Sequence, residues 1–260
     1  MKTRSVLAAP AVLCAASLAL AAGTAKPPAG ASTPLADFRA ANPAAQLYHS
    51  AGRIDTVYGQ AFSFGPSTKA SAEAFLRDHL FGPLGMRDTG FYLPPEKAAR
   101  LVAVQKPENG AWVRYPVTFY DPDYPITGAK SFFSGGAGLC STARDYATFL
   151  QMYLNGGELG GVRILSRTTV DMILRNHAGS LFGGDERHYG LAFGVLDEKA
   201  QARGGQGSAG TFDWGGYFNT QYFADPKEQL IGVLMKQTQG TTSDDTGWQF
   251  RLLVGQCVDD

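Results

Sequence analysis

The chain has 260 residues, and its length, composition and charge exclude several classes of protein. Lysine plus arginine equals aspartate plus glutamate at 23 each, while 44% of the residues are hydrophobic and 12% are aromatic. The even charge balance argues against nucleic acid or an anionic membrane surface as a partner. The apolar content argues against a disordered chain and is sufficient for one substantial core.

Residues 1–25 have the pattern of a secretory signal peptide. Lys2 and Arg4 precede an apolar, alanine-rich run from Val6 to Ala22 that is too short for a comfortable membrane span. Cleavage before Ala22 or after Ala25 would leave 21 cationic and 23 anionic side chains, a net charge of −2. We therefore expect a chain exported to the periplasm or the extracellular space, without a stable membrane span.

The cysteine and histidine patterns predict neither a cofactor nor a metal site. Cleavage of the signal would remove Cys14 and leave Cys140 and Cys257, which could pair, although two separate buried thiols are the preferred expectation. The four histidines occur singly, without the spacing of a metal motif. The glycine clusters lack the strand and helix order of a dinucleotide site.

Residues 26–47 are rich in Ala, Pro, Gly, Ser and Thr, which is typical of a linker, so the folded domain is expected over residues 48–260. Two helices are predicted next, each ended by Gly-Pro. The apolar positions of the first are Ile54, Val57, Tyr58, Ala61 and Phe62. The second would be capped by Ser71, with the apolar face Ala72, Phe75, Leu76, His79 and Leu80.

Loops and short strands are expected between Val102 and Ser131, where the pattern is irregular and proline is frequent. A helix is predicted over 143–154, because Thr142 and Asp145 have capping-box spacing. Its inward face would hold Tyr146, Phe149, Leu150 and Tyr153. Ser166 would cap a further helix that ends near Asn176.

The last third of the chain predicts an antiparallel sheet. Three β-like runs, Tyr189 to Leu196, Tyr217 to Ala224 and Gln229 to Lys236, are separated by Gly-rich and Asp-Pro-Lys turns. Ser243 and Asp244 then open a C-terminal helix. Its residues Trp248, Leu252 and Leu253 are expected to pack on the sheet.

Three stretches of this chain resemble serine hydrolases of the class C β-lactamase, penicillin-binding protein and family VIII esterase group. They are FGPLGMRDTGFYLPPEKAARL from Phe81, SGGAGLCSTARDYATFLQMYLNGGELGGVRILS from Ser134, and GSAGTFDWGGYFNTQYFADPKEQLIGVLMKQ from Gly207. The resemblance covers residues 48–256. It implies an α/β (α+β) fold of the β-lactamase/transpeptidase type, an antiparallel sheet flanked by helices, incomplete on its N-terminal side.

That family cleaves esters or β-lactam amides through an acyl-enzyme. Its parts are a serine nucleophile with a lysine one helical turn later, a tyrosine or serine that moves protons, and a strand whose backbone N–H stabilises the oxyanion. The strand motif of the esterase branch resembles Trp214-Gly215-Gly216, which we assign to this third position. The glycines are also explained by a β-bulge or a close approach of strands, and both interpretations can hold.

The nucleophile is unknown, because no serine in the sequence is followed by lysine three positions later. The nearest matches are Ser50 with Arg53, Ser141 with Arg144 and Thr127 with Lys130. Arginine keeps its proton near neutrality and cannot act as the base. Tyr48, in Tyr48-His49-Ser50, is the candidate proton-moving residue. It is displaced by two residues from the family position, and the alternative is an ordinary aromatic residue at the beginning of the folded core.

The sequence therefore predicts a truncated or internally deleted member of this hydrolase family, with little or no activity as this chain. One alternative is a non-catalytic exported protein that binds an ester, β-lactam or peptide-like ligand in a groove beside Trp214. Another is a half-enzyme completed by a second chain. If an N-terminal segment is missing, an exposed sheet edge or apolar face should follow.

Overall fold

The computed structural model describes residues 72–118, 121–128, 133, 138–181, 186–204, 206–240 and 244–258, together with the backbone of 47–50 and 53–57. Its largest element is an antiparallel sheet near the C-terminus. The strands are β7 (Arg187–Tyr189), β8 (Gly194–Leu196), β9 (Phe212–Gly215), β10 (Gln221–Asp225) and β11 (Leu230–Leu234). Each strand pairs with the next in the chain, so the sheet is a meander.

The sheet is antiparallel, as predicted, but its strands begin and end at other residues than predicted. The predicted run from Tyr189 to Leu196 is two strands, because the N–H of Gly190 donates to the carbonyl of Phe193 at 2.9 Å and reverses the chain. Strand β9 lies outside the three predicted runs. Strand β10 begins at Gln221, four residues after the predicted start, because Gly216–Thr220 form the turn between β9 and β10.

Smaller elements precede the sheet in the chain. They are β1 (Leu47–Ser50), β2 (Arg53–Val57), α1 (Ala72–Leu76), α2 (Pro95–Ala98), β3 (Gln105–Glu108), β4 (Ala111–Arg114), α3 (Tyr124–Thr127), α4 (Ala143–Leu154), β5 (Glu158–Leu159), β6 (Val162–Arg163) and α5 (Arg167–Leu174). A π-helical turn, Arg77–Phe81, continues α1 to the predicted stop at Gly82. The short strands β3 and β4 confirm the irregular pattern predicted after Val102.

The first predicted helix is wrong in the part that the structure describes. Residues 53–57 form β2, which pairs antiparallel with β1. Ile54, Thr56 and Val57 are β-branched, and their stiff side chains favour a strand once a partner strand is present. Residues 58–62 of that prediction, and Ser71, lie outside the described residues.

Helix α4 covers one face of the sheet and has the predicted bounds and inward side chains. Tyr146, Phe149, Leu150 and Tyr153 are all buried, and they pack in one cluster with side chains of β8 to β11. The Thr142 hydroxyl accepts a hydrogen bond from the Asp145 N–H at 3.3 Å, which is half of a capping box. Ser166 caps α5 as predicted, and α5 ends at Leu174, two residues before the predicted end.

The Asp145 carboxylate does not complete the capping box but holds a loop. It accepts hydrogen bonds from the N–H of Asp88 at 2.7 Å and from the hydroxyl of Thr89 at 2.9 Å. The stretch from Phe81 that carries the family resemblance is thereby fixed to the first turn of α4. Phe81, Met86 and Phe91 of this stretch are buried in the same core.

Two further helices, α6 (Glu198–Ala202) and α7 (Thr246–Gly255), complete the described chain. Helix α7 packs on the other face of the sheet, against β11. The predicted packing residues are wrong in part, because Trp248 is 54% and Leu253 62% exposed, whereas Gly247 and Val254 are buried. No helix in the described part of the chain is long and apolar enough to cross a membrane.

Candidate functional site

The predicted third motif lies at the end of β9. Trp214 pairs with Tyr222 and Gly215 with Gln221, and the register does not shift along this pair of strands. A β-bulge therefore does not explain the glycines, whereas close approach explains Gly216. A Cβ on Gly216 would lie 2.2 Å from the hydroxyl oxygen of Thr220.

Strand β9 separates two environments, since side chains alternate between the faces of a strand. Phe212 is buried on the α4 side, and Trp214 packs against the same cluster. Asp213 and Gly215 belong to the α7 side. The ring of Trp214 also meets the ring of Tyr189 edge to face, with 5.1 Å between their centroids.

A cleft of about 510 Å³ opens between α7 and the sheet. This volume lies within the usual range of small-molecule sites. Gly247 lines this cleft where α7 approaches the sheet most closely, since a Cβ there would collide with the side-chain amide of Gln221. The cleft is lined by Arg187, Tyr189, Gln206, Asp213, Trp214, Gly215, Gln221, Tyr222, Phe223, Asp244, Gly247, Trp248, Phe250 and Arg251.

Three charged side chains form the polar floor of this cleft. The Asp213 carboxylate, 8% exposed, makes ion pairs with Arg187 on β7 and with Arg251 on α7. The guanidinium carbon of Arg251 also lies 4.8 Å from the ring centroid of Phe223, a cation–π contact. These contacts link the first and the central strand of the sheet to the C-terminal helix.

The two arginines have more hydrogen-bonding capacity than Asp213 satisfies. Nε of Arg187 and both Nε and Nη2 of Arg251 are buried, and within the described residues no acceptor reaches them. Burial lowers the pKa of Arg187, and it lowers the pKa of Arg251 to about 10 against the attraction of Asp225. Both side chains remain cationic at neutral pH. The cleft is therefore lined by two cationic side chains together with the aromatic residues Trp248 and Phe250, and it suits a ligand with an anionic group and an aromatic body.

The other predicted site residues are not brought to this cleft by any described contact. Tyr48 lies on β1 opposite Thr56, and nothing is described of its side chain. Ser50 and Arg53 pair across the β1–β2 hairpin, a geometry unlike the single helical face that a Ser-x-x-Lys nucleophile requires. The assignment of Tyr48 as the proton-moving residue stays a prediction.

Ser141 is not the cap of α4, since Thr142 occupies that position. The Ser141 hydroxyl lies 2.7 Å from the hydroxyl of Thr89 and 3.3 Å from the carbonyl of Thr142. It therefore belongs to the contact between the loop and α4. Lys130, the partner considered for Thr127, lies outside the described residues.

Sequence reasoning missed the Arg187–Asp213–Arg251 cluster. Its signal was an aspartate inside the apolar stretch Thr211–Trp214 and an arginine between Phe250 and Leu252 on the last helix. A charge at such a position needs a partner, because an unpaired buried charge is costly. Among the described residues, no group of three or more His, Cys, Asp or Glu side chains could hold a metal ion.

The antiparallel sheet, with α4 on one face and α7 on the other, defines a β-lactamase/transpeptidase-like fold. The solved structure of EstCE1, a hydrolase with promiscuous acyltransferase activity, superimposes with a TM-score of 0.58 and 26% identity, over 70% of this chain and 50% of that one. The profile of the beta-lactamase family matches residues 63–256, and the chain belongs to that family.

Two curated relatives agree with this membership. Esterase EstB of Burkholderia gladioli is 34% identical over 179 residues, 60% of this chain and 41% of EstB. An uncharacterized protein of Mycobacterium tuberculosis is 32% identical over 174 residues, 62% of this chain and 42% of that protein. The chain thus spans about two fifths of the length of these relatives.

Proposed function

We propose that this member of the serine hydrolase family binds a small ester, β-lactam or peptide-like ligand in the cleft beside Trp214, and that by itself it forms little or no acyl-enzyme. The observation that carries the proposal is the cleft, which Trp214 and Gly215 line together with the cationic side chains of Arg187 and Arg251. Esters and β-lactams carry carbonyl or carboxylate oxygens, whose negative charge the two cationic side chains that line the cleft would attract.

Low turnover follows from the sequence. Catalysis through an acyl-enzyme needs an activated serine, and the chain has no Ser-x-x-Lys tetrapeptide. The family resemblance supports Trp214-Gly215-Gly216 as the wall that faces the substrate. Similarity to an esterase and to a promiscuous acyltransferase favours acyl compounds as the ligand class.

The test is the intact mass of the purified mature chain after exposure to a serine-directed fluorophosphonate and, separately, to a penicillin. A thermal melting curve confirms that the chain is folded. We expect no stoichiometric adduct. A single adduct would contradict the proposal and show that a nucleophile exists, which peptide mapping would then identify.

A half-enzyme completed by a second chain is the other candidate, since the chain has no Ser-x-x-Lys tetrapeptide of its own. Adding a second chain that carries a Ser-x-x-Lys segment would then produce labelling by the fluorophosphonate. We also propose export of the chain, which the charged and apolar pattern of residues 1–25 supports. N-terminal sequencing of secreted material would test it.

A further inference from the structure

A second charged cluster borders the cleft beside Trp214 and centres on Asp244. This residue lines the cleft two positions before α7 begins, and its side chain is 12% exposed. Its carboxylate accepts hydrogen bonds from three segments: the end of β11, the turn between β9 and β10, and the first turn of α7. A single side chain therefore connects the sheet to the helix that faces it across the cleft.

The contact with the end of β11 is an ion pair. The ammonium of Lys236, two residues after this strand, pairs with the Asp244 carboxylate and also donates to the hydroxyl of Thr246 at 3.1 Å. Burial alone would raise the pKa of Asp244, but the hydrogen bonds from Lys236 and Thr246 lower it below its usual value. The carboxylate is therefore ionised at neutral pH, and charge-assisted hydrogen bonds to it are stronger than neutral ones.

The contact with the turn between β9 and β10 is made by Asn219. Its side-chain amide donates to the Asp244 carboxylate and to the hydroxyl of Thr238, both at 3.1 Å. Asn219 has a φ of 65°, a left-handed conformation that asparagine adopts more readily than most residues. The turn, Gly216–Thr220, follows β9, whose last two residues line the cleft. Asp244 thereby helps to fix the end of the strand that carries the third motif.

The contact with α7 supplies an acceptor for the start of the helix. The N–H of Thr246, the first helical residue, donates to the Asp244 carboxylate at 3.2 Å. Asp245 occupies the N-cap position, but its carboxylate accepts a hydrogen bond from the side-chain amide of Gln249 at 2.6 Å. The first N–H groups of a helix need such acceptors, because they have no partner within the helix. Asp244 therefore has a role at this helix that an N-cap side chain commonly has.

The first turn of α7 is also the part of the helix that forms a wall of the cleft. Gly247 and Trp248 line the cleft, and Gly247 lies against Gln221, which pairs with Gly215 across β9 and β10. Because this approach is close, a small displacement of the turn would change the space between Trp248 and Gly215. The groups of a binding site have to be held to within about 0.5 Å of the geometry that binds.

We propose that Asp244 is a positioning residue of the cleft: it fixes the first turn of α7 and the β9–β10 turn to the end of β11, and so sets the space in which a ligand binds between Trp248 and Gly215. This role presupposes the ligand binding proposed above. A carboxylate repels an anionic ligand, so a favourable effect of Asp244 on binding has to act through the segments that it joins.

The first experiment is isothermal titration of the folded mature chain with benzylpenicillin, which is anionic. Asp244→Ala should weaken binding about tenfold, because it removes the acceptor that all three segments share. Asp244→Asn keeps an acceptor oxygen for the neighbouring N–H groups and should remain within about threefold of the wild type. If Asp244 acted on the ligand by its charge alone, both variants would bind more tightly. Unchanged or tighter binding by Asp244→Ala would overturn the proposal.

The matched control for this titration is Asp88→Ala. Asp88 also forms ion pairs, with Lys97 and Arg100, and these residues lie outside the cleft. Its loss should leave the affinity for benzylpenicillin unchanged. Equal weakening in Asp244→Ala and Asp88→Ala would show that the loss of any such ion pair has this effect, which would contradict a positioning role.

The second experiment needs no ligand and measures hydrogen exchange of the same variants by mass spectrometry. Asp244→Ala should accelerate exchange in the first turn of α7 and in Gly216–Thr220 and leave α4 unchanged, because the effect is local. Unchanged exchange in both turns, or equal acceleration throughout the chain, would overturn the proposal. A wild-type chain that does not bind benzylpenicillin would contradict the proposed function instead, and the exchange rates would still decide whether Asp244 fixes the two turns.

Discussion

The two faces of the main sheet differ in how completely they are filled. On the α4 side, Phe212, Tyr222, Ala224 and Val233 are buried in a continuous apolar cluster. On the α7 side, the same strands present Asp213 and Gln221 to an open cleft. One face is packed for stability, whereas the other holds charged groups that a ligand could satisfy.

This difference follows from the residues that alternate along each strand. Strand β9 places Phe212 and Asp213 on opposite faces, only one residue apart. Burying an aromatic side chain stabilises the fold, whereas burying an ion pair does not by itself do so. The ion cluster therefore adds less to stability than the apolar face does, and the proposed role in binding would account for its presence.

The largest loss of stability should follow from a substitution on the α4 side of the sheet. Phe212 is 1% exposed, so Phe212→Ala should lower the free energy of unfolding by about 3 to 5 kcal/mol, through lost burial and the cavity that remains. Chemical denaturation monitored by circular dichroism measures it. The matched aromatic control is Trp248→Ala, 54% exposed on α7, which should change stability by about 0.5 kcal/mol. Equal losses would contradict the difference between the faces.

A smaller loss is expected from the charged face. Asp213→Asn leaves Arg187 and Arg251 without their shared carboxylate and should cost about 2 to 3 kcal/mol, less than a fully buried pair because Arg187 is 33% exposed. The same variant should bind a carboxylate ligand more tightly, since both guanidinium groups then lack an anion. Unchanged stability together with unchanged binding would show that the cluster is inert.

The free energy of unfolding at acid pH should depend on Asp88, which lies in the loop that Asp145 fixes to α4. Hydrogen bonds from Arg100 and Lys97 lower the pKa of Asp88 to about 2. Because this pKa lies below that of an aspartate in the unfolded chain, near 4, the ionised carboxylate stabilises the fold at any pH above about 4. The stabilisation is lost as the pH falls from 4 toward 2. Because the site is partly exposed, the loss should be about 1 kcal/mol or less. Asp88→Asn should flatten the dependence in that window.

The smallest expected difference is in the rate at which the two thiols react. Cys140 is largely buried and burial raises its pKa to about 11, whereas Cys257 is exposed. A disulfide reagent added to the native mature chain at neutral pH should therefore label Cys257 rapidly and Cys140 only after unfolding. Cys257→Ser should abolish the rapid phase. A rapid phase that persists in this variant would show that Cys140 is accessible.

Sequence reasoning predicted the elements that local signals define. Helix α4 was predictable from Thr142, Asp145 and its apolar spacing, and β11 from the run that ends at Lys236. The exposed edge or apolar face expected if an N-terminal segment is missing stays a prediction. The buried thiol expected at Cys257 was wrong, because Cys257 follows the end of α7 and is exposed.

Contacts between residues far apart in the chain could not be predicted from the sequence. Strands β1 and β2 form because they pair with each other. The helical spacing of apolar residues from Ile54 gives no information about such pairing. The ion cluster joins Arg187, Asp213 and Arg251, 26 and 38 positions apart in the chain. No local pattern indicates that such distant charges meet.

The most direct test of the central claim, that the α7 face of the sheet holds the binding site, is isothermal titration of the folded mature chain with benzylpenicillin. We predict saturable, non-covalent binding that weakens about tenfold in Trp248→Ala and in Arg187→Gln, two residues that line the cleft. Trp112→Ala, a matched change at an exposed tryptophan on β4 outside the cleft, should leave the affinity unchanged. The absence of saturable binding, or equal weakening in all three variants, would contradict the account.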